Sequence, residues 1–452
     1  MQKKIIYLTS SNHIMEEVKR EDTKINNQSN SCQHLVDTQE IKDIARDALK
    51  LTQKIIDDFG PRLCGSESCQ NAAESLLNEM KKHCMKTYKE EFDVHPDAFF
   101  GFIKVGIVCF MCSTICVFLN QLFIGLLFSL FGVLQIIFEY IFYYHFLDRF
   151  YPKKTGYNVY GVIDPEGEVK RNVILSGHHD SAHIFNFYYD NPELYMVREI
   201  RGFLLILLLF ITMVVINVMK FRRGDAFELS FTTTYRIILG SILFLLFFWV
   251  QPLWYFLNEK GTPGAGDNLA SSSMIVMLSK YMKERRLNGK DLKNTRVYFC
   301  SFDGEECGLR GARAFWRKHK KEFELAPTYN INADCPYYYD ELRFLTKDIN
   351  WTVNLSEELA SACVEAAKEQ GFEARKEPIR FLCGATDAGE AALNGVKATT
   401  LLSIPFTNAD RPTVYHTPDD VVEHVEPRAI EQALAVMVNV IDKLDDNVYK
   451  DI

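Results

Sequence analysis

The sequence predicts an α/β protein: a three-layer α/β/α sandwich around a mixed sheet, interrupted by two apolar helical hairpins. Three observations carry this reading. Short β-branched runs alternate with amphipathic helical stretches over most of the chain, as in proteins whose helices cover both faces of a sheet. Four long apolar runs, Val105–Leu119, Leu122–Phe138, Phe203–Met219 and Ile237–Leu257, come in two pairs. Chemistry-bearing residues sit where strand candidates end or in loops, where open α/β sheets gather functional groups.

Residues 1–36 are polar, rich in Asn, Ser and Lys, and read as a flexible arm. The basic start, Met1-Gln-Lys-Lys, precedes an apolar stretch too short for a signal peptide. Between Thr38 and Asp58, Ile41, Ile44, Ala48, Leu51 and Ile55 recur at helical spacing, and Gly60-Pro61 ends the run. Ser68–Lys86 repeats the pattern through Ala72, Leu76 and Met80. Strands are predicted at Tyr157–Ile163, Val173–Ser176, Arg296–Phe302, Thr328–Ile331 and Ala398–Ser403. Helices are predicted at Leu269–Lys283, Arg310–Lys318, Ser356–Gln370 and Pro427–Leu444, the last opening on proline and carrying Ile430, Leu434, Met437 and Ile441 on one face. The globular domain is thus assembled from residues 37–98, 150–200 and 258–452.

The remaining segments, 99–149 and 201–257, are the hairpins. Each apolar run approaches the roughly 20 residues that cross a bilayer, whereas soluble core helices stop at about 10–14. Tyr140, Tyr143 and Tyr144, and Trp249 with Trp254, suit the membrane interface. Lys104 and Glu139 stand at run edges, where charges can snorkel to the headgroups. Asn120-Gln121 joins the first pair and Lys220–Arg236 the second. Two crossings per insertion put every soluble segment and both termini on one side of the lipid bilayer. Lys104, Arg149, Lys153, Lys154, Arg198, Arg201 and Lys260 flank that side, against Lys220, Arg222, Arg223 and Arg236 on the other. The positive-inside rule then makes the side holding the soluble segments cytoplasmic, and twelve cysteines without paired spacing agree with a reducing compartment. A net charge of −8 argues against a nucleic-acid partner.

Five motifs carry the chemistry: Gly-His178-His179-Asp180, Gly-Asp267-Asn268, Gly-Glu305-Glu306-Cys-Gly, Asn332-Ala-Asp334 and Tyr415-His416-Thr-Pro. Zinc takes imidazole nitrogen and carboxylate oxygen, and catalytic sites keep a position open for water. Two neighbouring zinc ions need one bridging acid, two terminal ligands each and a general base. Asp267 would bridge, His178 and Asp334 would complete one ion, and Glu306 and His416 the other. Glu305 would take a proton from water and pass it to the leaving amine. Asp180 would accept the other N–H of the His178 ring. Tyr415 offers a hydroxyl to a developing oxyanion. His145, His179, His183 and His424 read as packed or surface histidines, and Arg380 and Arg411 as solvent-facing.

These motifs resemble those of the co-catalytic di-zinc exopeptidases, which include bacterial leucyl aminopeptidases, glutamate carboxypeptidase and glutaminyl cyclase. Phe59-Gly-Pro-Arg62-Leu-Cys-Gly65-Ser66 resembles that family's segment ahead of the catalytic core, and Gly384-Ala-Thr386-Asp387 its late Ser/Thr-Asp turn near the substrate pocket. The resemblance covers about residues 38–98, 155–182 and 262–445. It implies an exopeptidase of short peptides with two zinc ions, most simply an aminopeptidase, with Asp387 and Tyr415 near the substrate. Glutaminyl cyclase-like or carboxypeptidase chemistry on the same residues, or a non-catalytic membrane receptor, are the alternatives. The departure from the family is the pair of hairpins. The second lies between His178 and Asp267, so its ends must approach the metals and set the catalytic mouth near the bilayer, within reach of apolar peptides.

Overall fold

In the computed structural model, described over residues 36, 38–224, 231–406 and 413–449, a mixed sheet forms the spine. Its strands are β1 (Lys86–Val94), β2 (Lys154–Ile163), β3 (Arg171–His178), β4 (Thr295–Phe302), β5 (Thr328–Asp334), β6 (Arg343–Leu345), β7 (Arg375–Glu377) and β8 (Lys397–Leu402). They lie in the order β1-β2-β4-β3-β5-β8-β6-β7. The central four, β4, β3, β5 and β8, are parallel, while β1 and β2 pair antiparallel at one edge. His178 stands opposite Phe302, and Asp334 opposite Leu402. These registers bring the carboxyl ends of four strands to one level, and the site is built there.

The helices are α1 (Thr38–Phe59), α2 (Glu67–His83), α3 (Gly101–Phe118), α4 (Leu122–Gln135), α5 (Tyr195–Arg223), α6 (Thr233–Val250), α7 (Ala270–Leu287), α8 (Arg310–Phe323), α9 (Glu357–Glu369), α10 (Asp387–Leu393) and α11 (Pro427–Asp445). α1, α2, α7, α9 and α11 pack together over one face of the sheet, and α8 with α10 over the other. The apolar stripe of α1 meets Ala72, Leu76 and Met80 of α2 in a shared core with Met274 and Leu278 of α7. The expected sandwich is therefore present.

Some boundaries differ from the sequence reading. α2 ends at His83, where Cys84 turns extended, and Lys86 already belongs to β1. β1 escaped notice because it is an edge strand, Lys-Thr-Tyr-Lys-Glu-Glu-Phe-Asp-Val, largely polar and half exposed, as edges that resist self-association are. The three-residue strands β6 and β7 are too short to give a period. α5 begins at Tyr195, several residues ahead of 201, because Arg198 and Arg201 hide its start from a hydropathy reading. The loop expected over Lys220–Arg236 shrinks, since α5 runs to Arg223 and α6 starts at Thr233. The N-terminal arm apart from Val36, residues 225–230 and Arg411 lie outside the described residues.

Among the described residues, four helical segments are long and apolar enough to cross a membrane: Gly101–Phe118, Leu122–Ile141, Pro192–Arg223 and Thr233–Tyr255. They form one bundle in which α4 packs on α5 and α3 on α6, with Phe102, Phe110, Ile206, Leu209, Met213 and Leu243 at its centre. Close approach depends on small residues. A Cβ on Gly202 would meet Leu253 at 2.3 Å, and one on Gly240 would meet Phe118 at 2.6 Å, the packing style of helices in lipid. Polar side chains tie the bundle internally: Gln135 Nε2 donates to the Phe102 carbonyl at 2.8 Å, and Asn217 Nδ2 to that of Leu122 at 3.0 Å. The hairpin exit is latched to the globular domain. Arg313 donates to Glu390 and to the Tyr143 carbonyl, each at 2.7 Å, and Asn350 to the Tyr140 carbonyl at 2.7 Å.

One ion cluster away from the site makes stability pH-dependent. On the β1 edge, Glu90 lies 3.0 Å from both His319 Nε2 and Lys318 Nζ, and accepts from the Tyr160 hydroxyl at 2.9 Å. Burial raises the Glu90 carboxyl, but the bonds from His319, Lys318 and Tyr160 prevail and hold it at about 2, against 4.5 unperturbed. Burial lowers His319, yet its bonds to Glu322 and Glu90 lift it to about 9, from 6.5. The Glu90 contribution is present above pH 4.5 and lost as pH falls through 2. The His319 contribution is full below 6.5 and lost as pH rises through 9. Thermal unfolding followed across pH should therefore show a plateau between these limits from this cluster. In His319→Ala, the decline between pH 6.5 and 9 should flatten.

Candidate metal centre and substrate cavity

Each chemical residue follows a strand end or a tight turn. His178 is the last residue of β3, and Asp334 the last of β5. Glu305 and Glu306 follow β4 through Asp303-Gly304, with Gly304 at φ +72°. Asp267 lies in an irregular turn ahead of α7. His416, at φ +54°, comes in the long loop after β8. A left-handed histidine is a strained conformation of the kind that collects at functional sites.

The structure brings all five predicted ligands together. His178 Nε2 lies 3.4 Å from Asp267 Oδ1 and 3.8 Å from Asp334 Oδ1. His416 Nε2 lies 2.9 Å from Asp267 Oδ2 and 3.5 Å from Glu306 Oε1. The two oxygens of Asp267 thus face different imidazoles. His178, Asp267 and Asp334 form one triad of potential ligand atoms, and Asp267, Glu306 and His416 another, sharing Asp267. Glu305 Oε2 stands 3.8 Å from His178 Nε2.

The donor set tests well against zinc. His178 Nε2, Asp267 Oδ2, Glu306 Oε1 and His416 Nε2 are buried, converge and make no well-formed hydrogen bond. Orphaned atoms of that kind carry a large desolvation cost unless a cation satisfies them, and imidazole with carboxylate is a zinc donor set. The electrostatics agree. Burial first, then the charges of Asp334 and Glu306 against the opposing His178, holds the Glu305 carboxyl well above the usual carboxylate range.

Supporting residues hold this arrangement. Asp180 sits between two motifs: its Oδ1 is 3.3 Å from His178 Nδ1, and its two oxygens accept the backbone N–H groups of Glu305 and Glu306 at 3.3 and 3.2 Å. It positions groups and does not line the cavity. His416 is held between Tyr415, stacked with ring centroids 3.9 Å apart, and Phe185, edge-on at 4.0 Å.

Two further positioning residues carry no assigned role in the sequence reading. Arg62 is fully buried; its guanidinium donates to the carbonyls of His179, Gly60, Pro263 and Gly264 at 2.7–3.1 Å. It stitches the loop after α1 to the His178 and Asp267 loops. Burial lowers it to about 10, against the nearby Cys69, Asp420, Asp180 and Asp267, so it stays cationic at neutral pH. Asp420 accepts the backbone N–H groups of Gly266 and Asp267 at 2.8 and 3.2 Å, fixing the turn that presents Asp267. The Phe59–Ser66 resemblance pointed toward Arg62. No local signal marks Asp420, because its partners are 153 and 154 residues away.

Tyr415 lines the cavity. Asp387, expected at the substrate pocket, is instead buried at the start of α10 and absent from the lining; Thr386, Ala385 and Gly384 form that wall. Helix α10 turns the Asp387 carboxylate into the interior, where it senses His178 and Asp334. His179 bonds Ser301 Oγ at 2.8 Å, His183 the Asn258 carbonyl at 2.9 Å and His424 the Asp419 carbonyl at 2.7 Å, so these three are structural; His145 is 3.5 Å from Asp148. Arg380 is exposed.

Arg62→Ala would strand four carbonyls around the ligand loops. It should lower stability by about 3 kcal/mol and weaken zinc binding about 10- to 100-fold. Thermal unfolding and a competitive zinc titration measure the two effects, and Arg62→Lys, lacking the planar fork, should restore little of either.

Residues 253–441 match the model of Peptidase family M28, a stretch that holds Asp267, Glu305, Glu306, Asp334 and His416 and begins after His178 and Asp180. No curated protein matches the chain in sequence. Among solved structures, a glutaminyl cyclase from Fimbriiglobus ruber is 13% identical with a TM-score of 0.51, over 88% of this chain and 94% of that one. A zinc aminopeptidase from Bacillus subtilis is 12% identical, TM-score 0.51, over 88% and 94%. A Bacteroides thetaiotaomicron glutaminyl cyclase bound to N-acetylhistamine is 11% identical, TM-score 0.51, over 88% and 97%. At such identities the likeness is one of fold. Family match and fold agree with the resemblance read from the motifs: over residues 253–441 this chain is similar to Peptidase family M28.

Proposed function

We propose that this protein is a membrane-inserted aminopeptidase with two zinc ions. The observation that carries the reading is Asp267, whose two oxygens address two separate triads, His178–Asp334 and Glu306–His416. Bound there, zinc supplies Lewis acidity, acidifying water and polarising the scissile carbonyl.

The chain's own residues do the rest. Glu305, beside the triads and buried enough to hold a proton, takes one from the attacking water and delivers it to the departing amine nitrogen. Its position next to Glu306 is fixed by Asp180 through the two backbone N–H groups. The Tyr415 hydroxyl, on the cavity wall, donates toward the oxyanion as the carbonyl becomes tetrahedral. Aminopeptidase is favoured over carboxypeptidase by charge. Among the described residues lining the cavity there is no Lys or Arg to receive a substrate carboxylate.

The four apolar segments are read as transmembrane, with the domain on the cytoplasmic face. Much of their surface is exposed and apolar, including Phe123, Leu204, Leu245 and Phe248, far more than a soluble domain displays. Cations lie over aromatic rings at the domain end of the bundle, Arg201 over Trp249 at 4.6 Å and Lys104 over Trp254 at 5.8 Å, as at a membrane interface.

Free and amino-blocked peptides offered to the purified, zinc-loaded protein test the activity. Only free amino ends should be cleaved, chelation should abolish turnover and zinc should restore it. Glu305→Gln should retain zinc and lose about 10³-fold or more in kcat. Cleavage of blocked peptides from the carboxyl end, or pyroglutamyl product without hydrolysis, would refute the aminopeptidase reading. Impermeant thiol labelling of single cysteines at positions 120 and 290 in intact cells should mark only the former.

A further inference from the structure

The cavity that reaches Glu305 and Glu306 does not end within the catalytic domain. Its far wall comes from the inserted hairpins and their flanks, including Phe102, Tyr140, Tyr195, Glu199, Phe203 and Phe256. A single space of about 190 Å³ joins the metal centre to this aromatic sleeve. Among the described lining residues outside the metal centre, Glu199 alone is charged.

Glu199 is buried, 6% exposed, on the first turns of α5. The Tyr140 hydroxyl lies 3.1 Å from its Oε1 but 2.8 Å from the Leu382 carbonyl, so one phenolic proton serves two acceptors. Tyr195 also hydrogen-bonds it. The neighbouring cations face elsewhere: Arg198 lies over Phe187 at 5.4 Å and Arg201 over Trp249 at 4.6 Å. A carboxylate kept in an apolar sleeve with phenols and no cation is costly to fold.

The geometry points to Glu199 as a specificity-determining residue that receives the cationic head of the substrate's terminal side chain, so that the enzyme prefers lysine or arginine at the free amino end. The alkyl stem of such a side chain packs along the aromatic wall, and its head gains both a charge-assisted bond to Glu199 and the faces of the surrounding rings. Leucine or phenylalanine would fill the sleeve but leave the carboxylate with its phenols alone and no cation. This inference rests on the aminopeptidase reading and adds to it the class of substrate.

The test compares lysyl and norleucyl aminomethylcoumarin, which differ chiefly by the ammonium group, on the full-length zinc-loaded protein. The expected result is a kcat/KM ratio of about tenfold or more in favour of lysyl, collapsing toward one in Glu199→Gln and partly kept in Glu199→Asp. A ratio near one in the unmodified protein, or a ratio untouched by Glu199→Gln with the fold intact by thermal unfolding, overturns the inference. Calorimetric binding of L-lysinamide and L-norleucinamide to Glu305→Gln gives a readout that needs no turnover. Lysinamide should bind about tenfold more tightly, and equal binding overturns the assignment. Selective lysinamide binding without hydrolysis of any free-amino substrate would refute the peptidase reading while leaving Glu199 as the recognition group.

Discussion

The structure depends on how a crowd of carboxylates is kept at the ends of parallel strands. Asp180, Asp267, Asp334, Asp387 and Asp420 are all buried there, with Glu305 and Glu306 nearly so. Like charges at such separations repel strongly in a medium that screens poorly. Some are relieved by backbone N–H groups, as Asp180 and Asp420 are. Asp267 is relieved from both sides by imidazoles, and Arg62 contributes a guanidinium fork that bonds to both the His178 and Asp267 loops. What remains, a set of converging atoms without hydrogen-bond partners, is an arrangement that bound zinc would complete.

That electrostatic demand explains the mechanical one. The ligands come from segments far apart in sequence, so each turn that presents one is fastened to another. Asn268 bonds the Ala333 carbonyl and the Cys335 N–H, linking the Asp267 turn to the Asp334 strand end. Asp180 ties β3 to the Glu305–Glu306 turn, and Asp420 ties the His416 loop to the Asp267 turn. Displacing one ligand would therefore disturb its neighbours, the cooperative behaviour expected of a connected polar network.

The hairpins extend the same logic to substrate access. They are inserted where the catalytic domain opens, so the bundle becomes one wall of the cavity and not a remote anchor. Arg313, Asn350 and the aromatic contacts around Phe99 and Tyr143 fix the bundle to the domain. Selectivity can then be set by bundle residues such as Glu199 while the metal centre stays constant.

The sequence by itself determined the converging cluster and the layers. Residue type and motif order named the five side chains that the fold gathers, because few combinations of His, Asp and Glu make a metal-binding set. Helical periodicity and apolar length named α1, α2, α11 and the four apolar helices, since those signals are local. Charged or very short elements such as β1, β6 and β7 were lost because their existence depends on a neighbouring strand. Tertiary structure alone decided that Asp387 turns inward, that Asp420 and Arg62 hold the ligand loops, and that Glu199 shares a cavity with Glu305. Each of these is a contact across a long stretch of chain, set by sheet register and by how the bundle docks, and neither leaves a periodic trace in the residues that make it.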